Sequence, residues 1–188
     1  MALLTGTLGC AALRETAALR QVEFHFDRVS DAEVARIRLD RLLAFRDLGV
    51  AEVARLGLAV ASRDVPFEVT VHVTGTNPVS NQVTARMIAL DWEYVVDERQ
   101  IITGTLEREL RFAPGEPVDV PVAVGFNLAR AFEGDARTLF ETAVALSGQG
   151  PSSHDVVLRI RPTIDTPIGP IQYPTPISIR LASAGDSH

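Results

Sequence analysis

The most regular stretch of the sequence reads Phe67-Glu68-Val69-Thr70-Val71-His72-Val73-Thr74. Apolar and polar residues alternate strictly along it, which is the pattern of a β-strand with one face in a core and the other toward water. The turn-forming residues Gly75-Thr76-Asn77-Pro78 follow directly. The stretch therefore predicts a half-buried strand that ends in a tight turn.

Three other segments alternate in the same way, at residues 22–26, 118–126 and 156–164. Between residues 83 and 96 the alternation changes phase near Met87, which predicts a β-bulge at that point. Glycine and proline clusters separate these segments at the spacing expected of a β-sandwich or barrel. The chain is thus predicted to be mainly β and antiparallel.

Two segments instead have helical periodicity. Residues 48–62 place Val50, Val53, Gly57 and Val60 at helical intervals. Residues 135–147 follow Asp135, a predicted N-cap, and align Ala136, Leu139, Phe140, Ala143 and Val144 on one stripe. Gly148 is the predicted C-terminal cap of this second helix.

Composition limits the classes of protein to which the chain can belong. Its 188 residues fit one domain, and 46% hydrophobic with 22% charged residues is the composition of a folded chain rather than a disordered one. Every basic residue is an arginine. Because the net charge is nevertheless −6, no nucleic-acid function is predicted. The sequence also contains no apolar run long enough for a transmembrane helix.

The single cysteine, Cys10, lies in an apolar segment, residues 3–13, that is similar to the end of a bacterial lipoprotein signal. This predicts a leader over residues 1–20, lipidation of Cys10 and a location in the cell envelope or periplasm. The alternative is a frayed apolar N-terminus in a cytoplasmic protein. At the other end, residues 182–188 are predicted to be a disordered tail.

The titratable residues show no arrangement typical of a catalytic or metal site. The four histidines, His25, His72, His154 and His188, are scattered, and His25 and His72 are expected to face water. No nucleophile elbow or nucleotide-binding loop is present, although a dispersed triad leaves no local motif. The prediction is therefore a protein that is not an enzyme and uses no metal or cofactor.

Two further pairs of residues on one strand contain groups that could form a catalytic or binding site. Asp91 and Glu93 could serve as paired carboxylates, but they are predicted to face water. Trp92 and Tyr94 could form a sugar-stacking platform, but they continue the apolar face of their strand and are predicted to pack in the core. Neither pair is taken as a site.

Four stretches together resemble the LEA type 2 family, which contains the WHy (water stress and hypersensitive response) domain. These are residues 67–78, 89–104, 114–124 and 165–171, and the resemblance covers about residues 65–181. Val79 follows the Asn-Pro pair where the family often has a polar residue, and residues 48–62 look like an insertion. The structural residues that the resemblance implies are Asn77, Pro78, Gly104, Pro114 and Gly169.

The resemblance implies an immunoglobulin- or fibronectin-III-like antiparallel β-sandwich with one or two short helices, spanning residues 21–181. It also implies a non-enzymatic role in water-stress or desiccation tolerance, with a membrane surface or other proteins as partners. The alternative function is a module that binds a lipid or other hydrophobic ligand. It needs an apolar cavity between the sheets or beneath the helix at 135–147, and a pocket lined by Phe132, Leu139 and Phe140 would support it. The protein is expected to be a monomer or a weak dimer.

Overall fold

The computed structural model describes residues 21–42, 44–148, 154–165 and 169–181. Cys10, the leader and the tail lie outside these ranges. The elements follow in the order β1 (Glu23–Val34), β2 (Ile37–Arg38), a 3-10 turn (Phe45–Asp47), α1 (Val50–Ala61), β3 (Pro66–Thr76), β4 (Ala85–Val96), β5 (Arg99–Leu106), β6 (Leu110–Phe112), β7 (Pro117–Asn127), α2 (Leu128–Ala131), α3 (Ala136–Leu146), β8 (Val156–Ile164), β9 (Ile171–Gln172) and β10 (Ile177–Arg180).

The strands form two antiparallel sheets. The first has the order β2-β1-β3-β7, and the second has the order β10-β8-β4-β5, with β6 paired to β4 and β9 paired to β8. One core cluster takes its residues from both sheets and from α1 and α3. The predicted fold class, a mainly β sandwich with short helices, is confirmed. Its closer likeness to immunoglobulin or fibronectin-III domains stays a prediction.

The alternation along β3 is confirmed at every position. Phe67, Val69, Val71 and Val73 are buried, whereas the residues between them point away from the core. Each fully buried side chain of this kind contributes about 1.5–3 kcal/mol relative to an exposed one. Pairing with β1 on one side and β7 on the other makes β3 the central strand of the first sheet.

The predicted β-bulge lies in β4, where the pairing with β8 shifts register between Met87 and Ala89. Met87 is buried before the shift and Leu90 after it, so the inward phase changes from odd to even. Trp92 and Tyr94 are buried in the core, as predicted. The Tyr94 hydroxyl donates a hydrogen bond to the Leu146 carbonyl at 3.0 Å, and burial raises the pKa of this phenol above its usual value.

The second predicted helix is present as α3. The Asp135 side chain accepts a hydrogen bond from the Thr138 amide at 2.8 Å, which makes it the N-cap. Gly148 follows the helix with a φ of 70°, a left-handed conformation that suits glycine. The predicted stripe faces the core, and the single-turn helix α2 was not predicted.

The first predicted helix is present as α1, but its orientation is not the expected one. The only buried residue of α1 is Leu56, while Val50 and Val53, both on the predicted apolar stripe, are exposed. Helical periodicity identifies a stripe but not the side on which the rest of the protein lies. The part of the stripe at Val50 and Val53 therefore faces outward, whereas Val60, its last residue, is partly buried against the core.

Candidate functional site

A groove of about 1020 Å³ lies at the end of the sandwich where β3 begins. It is bounded by the turn after α1, by α2 and α3, by the first residue of β5 and by His154. Three guanidinium groups line it, together with two threonines and one phenylalanine. We call it the arginine groove, and its lining residues are Ser62, Arg63, Arg99, Ala129, Arg130, Ala131, Phe132, Glu133, Thr138, Thr142 and His154.

The walls of the groove are held together by hydrogen bonds around Asn127. The Asn127 side chain donates to the Arg63 carbonyl at 3.1 Å and to the Asp64 carboxylate at 3.0 Å. The Leu128 amide donates to the Val65 carbonyl at 2.8 Å. These bonds tie α2 to the turn that follows α1, so that Arg63 and Arg130 lie on one groove although they are far apart in sequence.

Arg99 and Phe132 form the floor on the β5 side. Arg99 Nη2 donates to the Ala131 carbonyl at 2.9 Å, and the guanidinium carbon lies 6.0 Å from the centroid of the Phe132 ring. The planar cation is thus held against an aromatic face, an arrangement that leaves its remaining N–H groups for other partners.

His154 is held at the edge of the groove by Asp97. Its Nδ1 lies 2.6 Å from Asp97 Oδ2, and the Asp155 amide donates to Asp97 Oδ1 at 2.9 Å. The hydrogen bond from His154 holds the pKa of the Asp97 carboxyl below its usual value. The His154 ring lies 5.9 Å from the Phe132 ring, which places one imidazole face beside the groove.

Charge in the groove is unbalanced. Among the residues that the structure describes, the side chains of Arg63 and Arg130 have no hydrogen-bond or ion-pair partner, and both are exposed. Within the same described ranges, Glu133 supplies the only carboxylate in the lining. Guanidinium groups bind phosphates and carboxylates through pairs of N–H donors, so the groove has the chemistry of an anion-binding site.

Of the residues singled out by sequence, Asn77 is the most deeply embedded. It is 0% exposed, and its Nδ2 donates to the carbonyls of Val83 and Phe112, both at 2.9 Å. Its Oδ1 accepts a hydrogen bond from Asn81 Nδ2 at 2.7 Å. Pro78 lies in the same turn and accepts from the Asn81 amide at 2.9 Å, so the Asn-Pro pair joins three chain segments.

The other residues that the resemblance implied lie apart from the arginine groove. A Cβ at Gly104 would lie 2.3 Å from Trp92 Cζ2, because the indole packs directly on this glycine. Pro114 forms an isolated bridge with Asn77. Gly169 has a φ of 112° and open space around it. All of these positions shape turns or packing, and none contributes a group to the groove.

Within the described ranges, the three residues whose apolar pocket would support a hydrophobic ligand do not line one groove together. Leu139 and Phe140 are buried in the core, whereas Phe132 lies among the arginines of the groove. The periodicity of α3 could place Leu139 and Phe140 on one face, but it held no information on Phe132. The hydrophobic-ligand alternative itself stays a prediction.

His72 is on the outward face of β3, as predicted, but its side chain is only 12% exposed because it contacts residues of β1 and β7. His72 Nε2 lies 2.9 Å from Ser30 Oγ and its Nδ1 lies 2.9 Å from Asp119 Oδ1, so neighbouring strands β1, β3 and β7 bring a serine, a histidine and an aspartate together. The three residues are 42 and 47 positions apart. No local sequence signal could have found this arrangement.

This cluster lacks the proton arrangement of a catalytic triad. The Ser30 hydroxyl has one hydrogen, which it donates to Asp31 Oδ2 at 2.7 Å. With that hydrogen on Asp31, Ser30 Oγ can only accept from His72 Nε2, and in this arrangement the imidazole does not serve as its base. The cluster links three strands of the first sheet instead.

Asp91 and Glu93 are less solvated than predicted. They line a smaller groove of about 310 Å³ with Arg159 and Arg161. Asp91 accepts hydrogen bonds from Thr105 Oγ1 at 2.7 Å and from Gln172 Nε2 at 2.5 Å. Glu93 Oε2 lies 3.8 Å from Arg159 Nη1 on β8, so each carboxylate has a partner on a neighbouring strand and neither is fully exposed.

In the described part of the chain, no group of three or more metal-ligating side chains comes together. Likewise, none of the helices in the described ranges has the length and apolar character needed to cross a bilayer.

Comparison with known proteins finds no matching family model and no matching curated protein. Similar solved structures include a protein from Archaeoglobus fulgidus, with 10% identity, coverage of 86% of this chain and 94% of that chain, and a TM-score of 0.37. A second is a "putative late embryogenesis abundant (LEA) protein", with 17% identity, coverage of 95% of this chain and 82% of that chain, and a TM-score of 0.35. A third is the "Putative ApaA Protein" from Bordetella pertussis, with 13% identity, 86% and 97% coverage and a TM-score of 0.36. The structural neighbours of this chain thus include a "putative" LEA protein, at low identity.

Proposed function

We propose that this protein is a folded, non-enzymatic binding protein of the LEA type 2 kind, and that it binds an anionic partner in the arginine groove. One observation carries the proposal: Arg63 and Arg130, which have no partner among the described residues, present guanidinium groups on the same groove as Arg99. Cations that are left unpaired on one concave surface favour a ligand with phosphate or carboxylate groups.

Binding is favoured over catalysis because the groove offers no activated nucleophile. Its serine, Ser62, donates its hydroxyl to the Ala59 carbonyl at 3.0 Å, and among the described residues no bond joins this serine to His154. Nucleophilic catalysis needs a base within hydrogen-bond reach of the attacking group. The same polar lining also favours an anionic ligand over the hydrophobic ligand that was the alternative function.

The sequence resemblance supports the biological setting of this proposal. Likeness to the LEA type 2 family supports a role in water-stress or desiccation tolerance, and the lipoprotein-like segment at Cys10 supports attachment to the cell envelope. In that setting, the protein would act by binding an anionic partner at the cell envelope. Survival of drying, compared between cells with and without the gene, tests the setting independently of the groove.

The groove itself is tested by calorimetric titration with inorganic pyrophosphate, a compact anion with two phosphoryl groups. Replacing both Arg63 and Arg130 by glutamine is expected to weaken binding at least tenfold, because two charge-assisted contacts are lost. Arg111→Gln is the matched control, since Arg111 is an exposed arginine that already pairs with Glu109. Equal pyrophosphate affinity in the double variant and in Arg111→Gln would refute the proposed site.

A further inference from the structure

The outer surface of α1 is apolar. Val50 is 90% exposed, Leu58 is 73% exposed and Val53 is 37% exposed. With the small residues between them they form one side of the helix, since positions three and four apart share a face. We call this surface the α1 outer face, and its residues are Val50, Val53, Ala54, Gly57, Leu58 and Ala61.

The two charged residues of α1 lie off this face because both turn back onto the protein. Glu52 accepts a hydrogen bond from the Gly49 amide at 2.7 Å, and Arg55 donates to the Arg36 carbonyl at 3.3 Å. The α1 outer face therefore carries no charge of its own. An amphipathic helix normally turns its apolar stripe toward the core, so an outward apolar stripe indicates a partner.

The segment around α1 is basic in an otherwise acidic protein. Residues 36–63 contain six arginines and three acidic residues, whereas the whole chain has 18 basic and 24 acidic residues. Arg41 and Arg46 are exposed on the N-terminal side of the helix. Arg63 follows its C-terminus and opens the arginine groove, about one helical turn beyond Leu58.

We propose that the α1 outer face docks on an anionic lipid bilayer. Its valines and leucine would enter the boundary between headgroups and acyl chains, while the flanking arginines contact lipid phosphates. This inference rests on the proposed function, because it names the anionic partner of the arginine groove as a lipid headgroup. Charge favours a bilayer over a second copy of the chain, since two copies that met at α1 would bring two basic segments together.

The experiment is flotation of the full chain with two kinds of vesicle. One kind contains phosphatidylcholine and phosphatidylglycerol in equal amounts, and the other contains phosphatidylcholine alone. Every protein carries Cys10→Ser, so that no acyl chain on the protein contributes to binding. We expect binding to the anionic vesicles only, and at least a tenfold loss of binding in Leu58→Glu.

Val79→Glu is the matched control, because Val79 is 79% exposed in the turn at the other end of β3. It adds the same charge to the chain without touching α1, so it should bind like the parent. Equal loss of binding in Leu58→Glu and Val79→Glu would overturn the proposal, because net charge alone would then explain both. Equal binding to both kinds of vesicle would overturn it as well.

Two rival occupants of the face have distinct outcomes. A concentration-dependent dimer that Leu58→Glu abolishes would assign the face to a second copy. Vesicle binding that survives Leu58→Glu but is lost when residues 1–20 are removed would assign lipid binding to that segment. Either result overturns docking by α1. Pyrophosphate titration of the same proteins separates the two proposals, because a groove that binds pyrophosphate while the vesicles stay unbound leaves the anion site standing alone.

Discussion

The two ends of β3 are built in opposite ways. At the C-terminal end, Gly75 lies beneath the edge-to-face pair of Phe24 and Phe112, and Asn77 is buried with its side-chain hydrogen bonds made within the protein. At the N-terminal end, α1 turns valine and leucine outward and Arg63 has no side-chain partner within the described ranges. Side chains that pack or hydrogen-bond within the protein stabilise its fold. Exposed apolar side chains and arginines without such contacts are instead available to a partner.

The strongest test of this contrast is Asn77→Ala. The variant removes three hydrogen bonds and leaves the buried carbonyls of Val83 and Phe112 without their donor, so we expect a loss of about 3 kcal/mol in the free energy of unfolding. Urea denaturation followed by circular dichroism measures this loss. The control is Arg130→Gln at the opposite end, where we expect a change below about 0.5 kcal/mol. Similar losses in the two variants would remove the distinction between the ends.

Alanine at Gly75, near the C-terminal end of β3, and alanine at Gly57, in α1, should change the free energy of unfolding in opposite directions. A Cβ at Gly75 would lie 2.5 Å from the Phe112 ring, so Gly75→Ala should destabilise the protein by about 1–3 kcal/mol as the ring is displaced. Gly57 lies in α1 with nothing within 4 Å of the added carbon, so Gly57→Ala should stabilise it by about 0.5–1 kcal/mol. Thermal unfolding of both variants checks the signs, and the same sign in both would contradict the packing described.

The acid dependence of stability should involve the rim of the groove. The pKa of Asp97 is lowered by its hydrogen bond with His154, so its carboxylate stabilises the folded state above the unfolded pKa, and that contribution is lost as pH falls through the folded value. Between about pH 5 and about pH 3, Asp97→Asn should therefore lose less stability than the parent protein. Glu116→Gln, in an exposed turn, is the control and should follow the parent. A parallel decline in Asp97→Asn would contradict the assignment.

The smallest effect is expected at the cluster of Ser30, His72 and Asp119. Because the Ser30 hydroxyl donates to Asp31, Ser30 should not react with a fluorophosphonate probe that labels activated serines. Mass spectrometry after incubation with the probe makes the measurement, and an active serine hydrolase in the same tube shows that the probe works. Labelling of Ser30 that disappears in His72→Gln would show a catalytic site on the first sheet and contradict the non-enzymatic proposal.

Much of the fold could be predicted because its signals are local. The alternation along β3, the phase change near Met87 and the Asp135 cap each depend on neighbouring residues, so each could be found in a short window. The side of α1 that faces the core could not, because periodicity is silent on where the rest of the protein lies. Val50 and Val53 thus point outward.

The candidate site could not be predicted at all. Arg63, Arg99 and Arg130 come from three separate elements, and no spacing between them is typical of an anion site. The resemblance implied Asn77 and Gly104 as structural residues. Asn77 shapes a turn and Gly104 a packing contact, and neither contributes to the groove. The tertiary structure brings these three arginines together, and no stretch of the sequence does so by itself.

The central claim is that the partner-binding surface lies at the α1 end of β3. Hydrogen–deuterium exchange with and without vesicles of phosphatidylcholine and phosphatidylglycerol tests it most directly. The account predicts slower exchange confined to α1, the turn at Ser62 and Arg63, and α2, with no change in the turn at Asn77. Protection at the groove beside Asp91 and Arg159, or no protection anywhere, would contradict it.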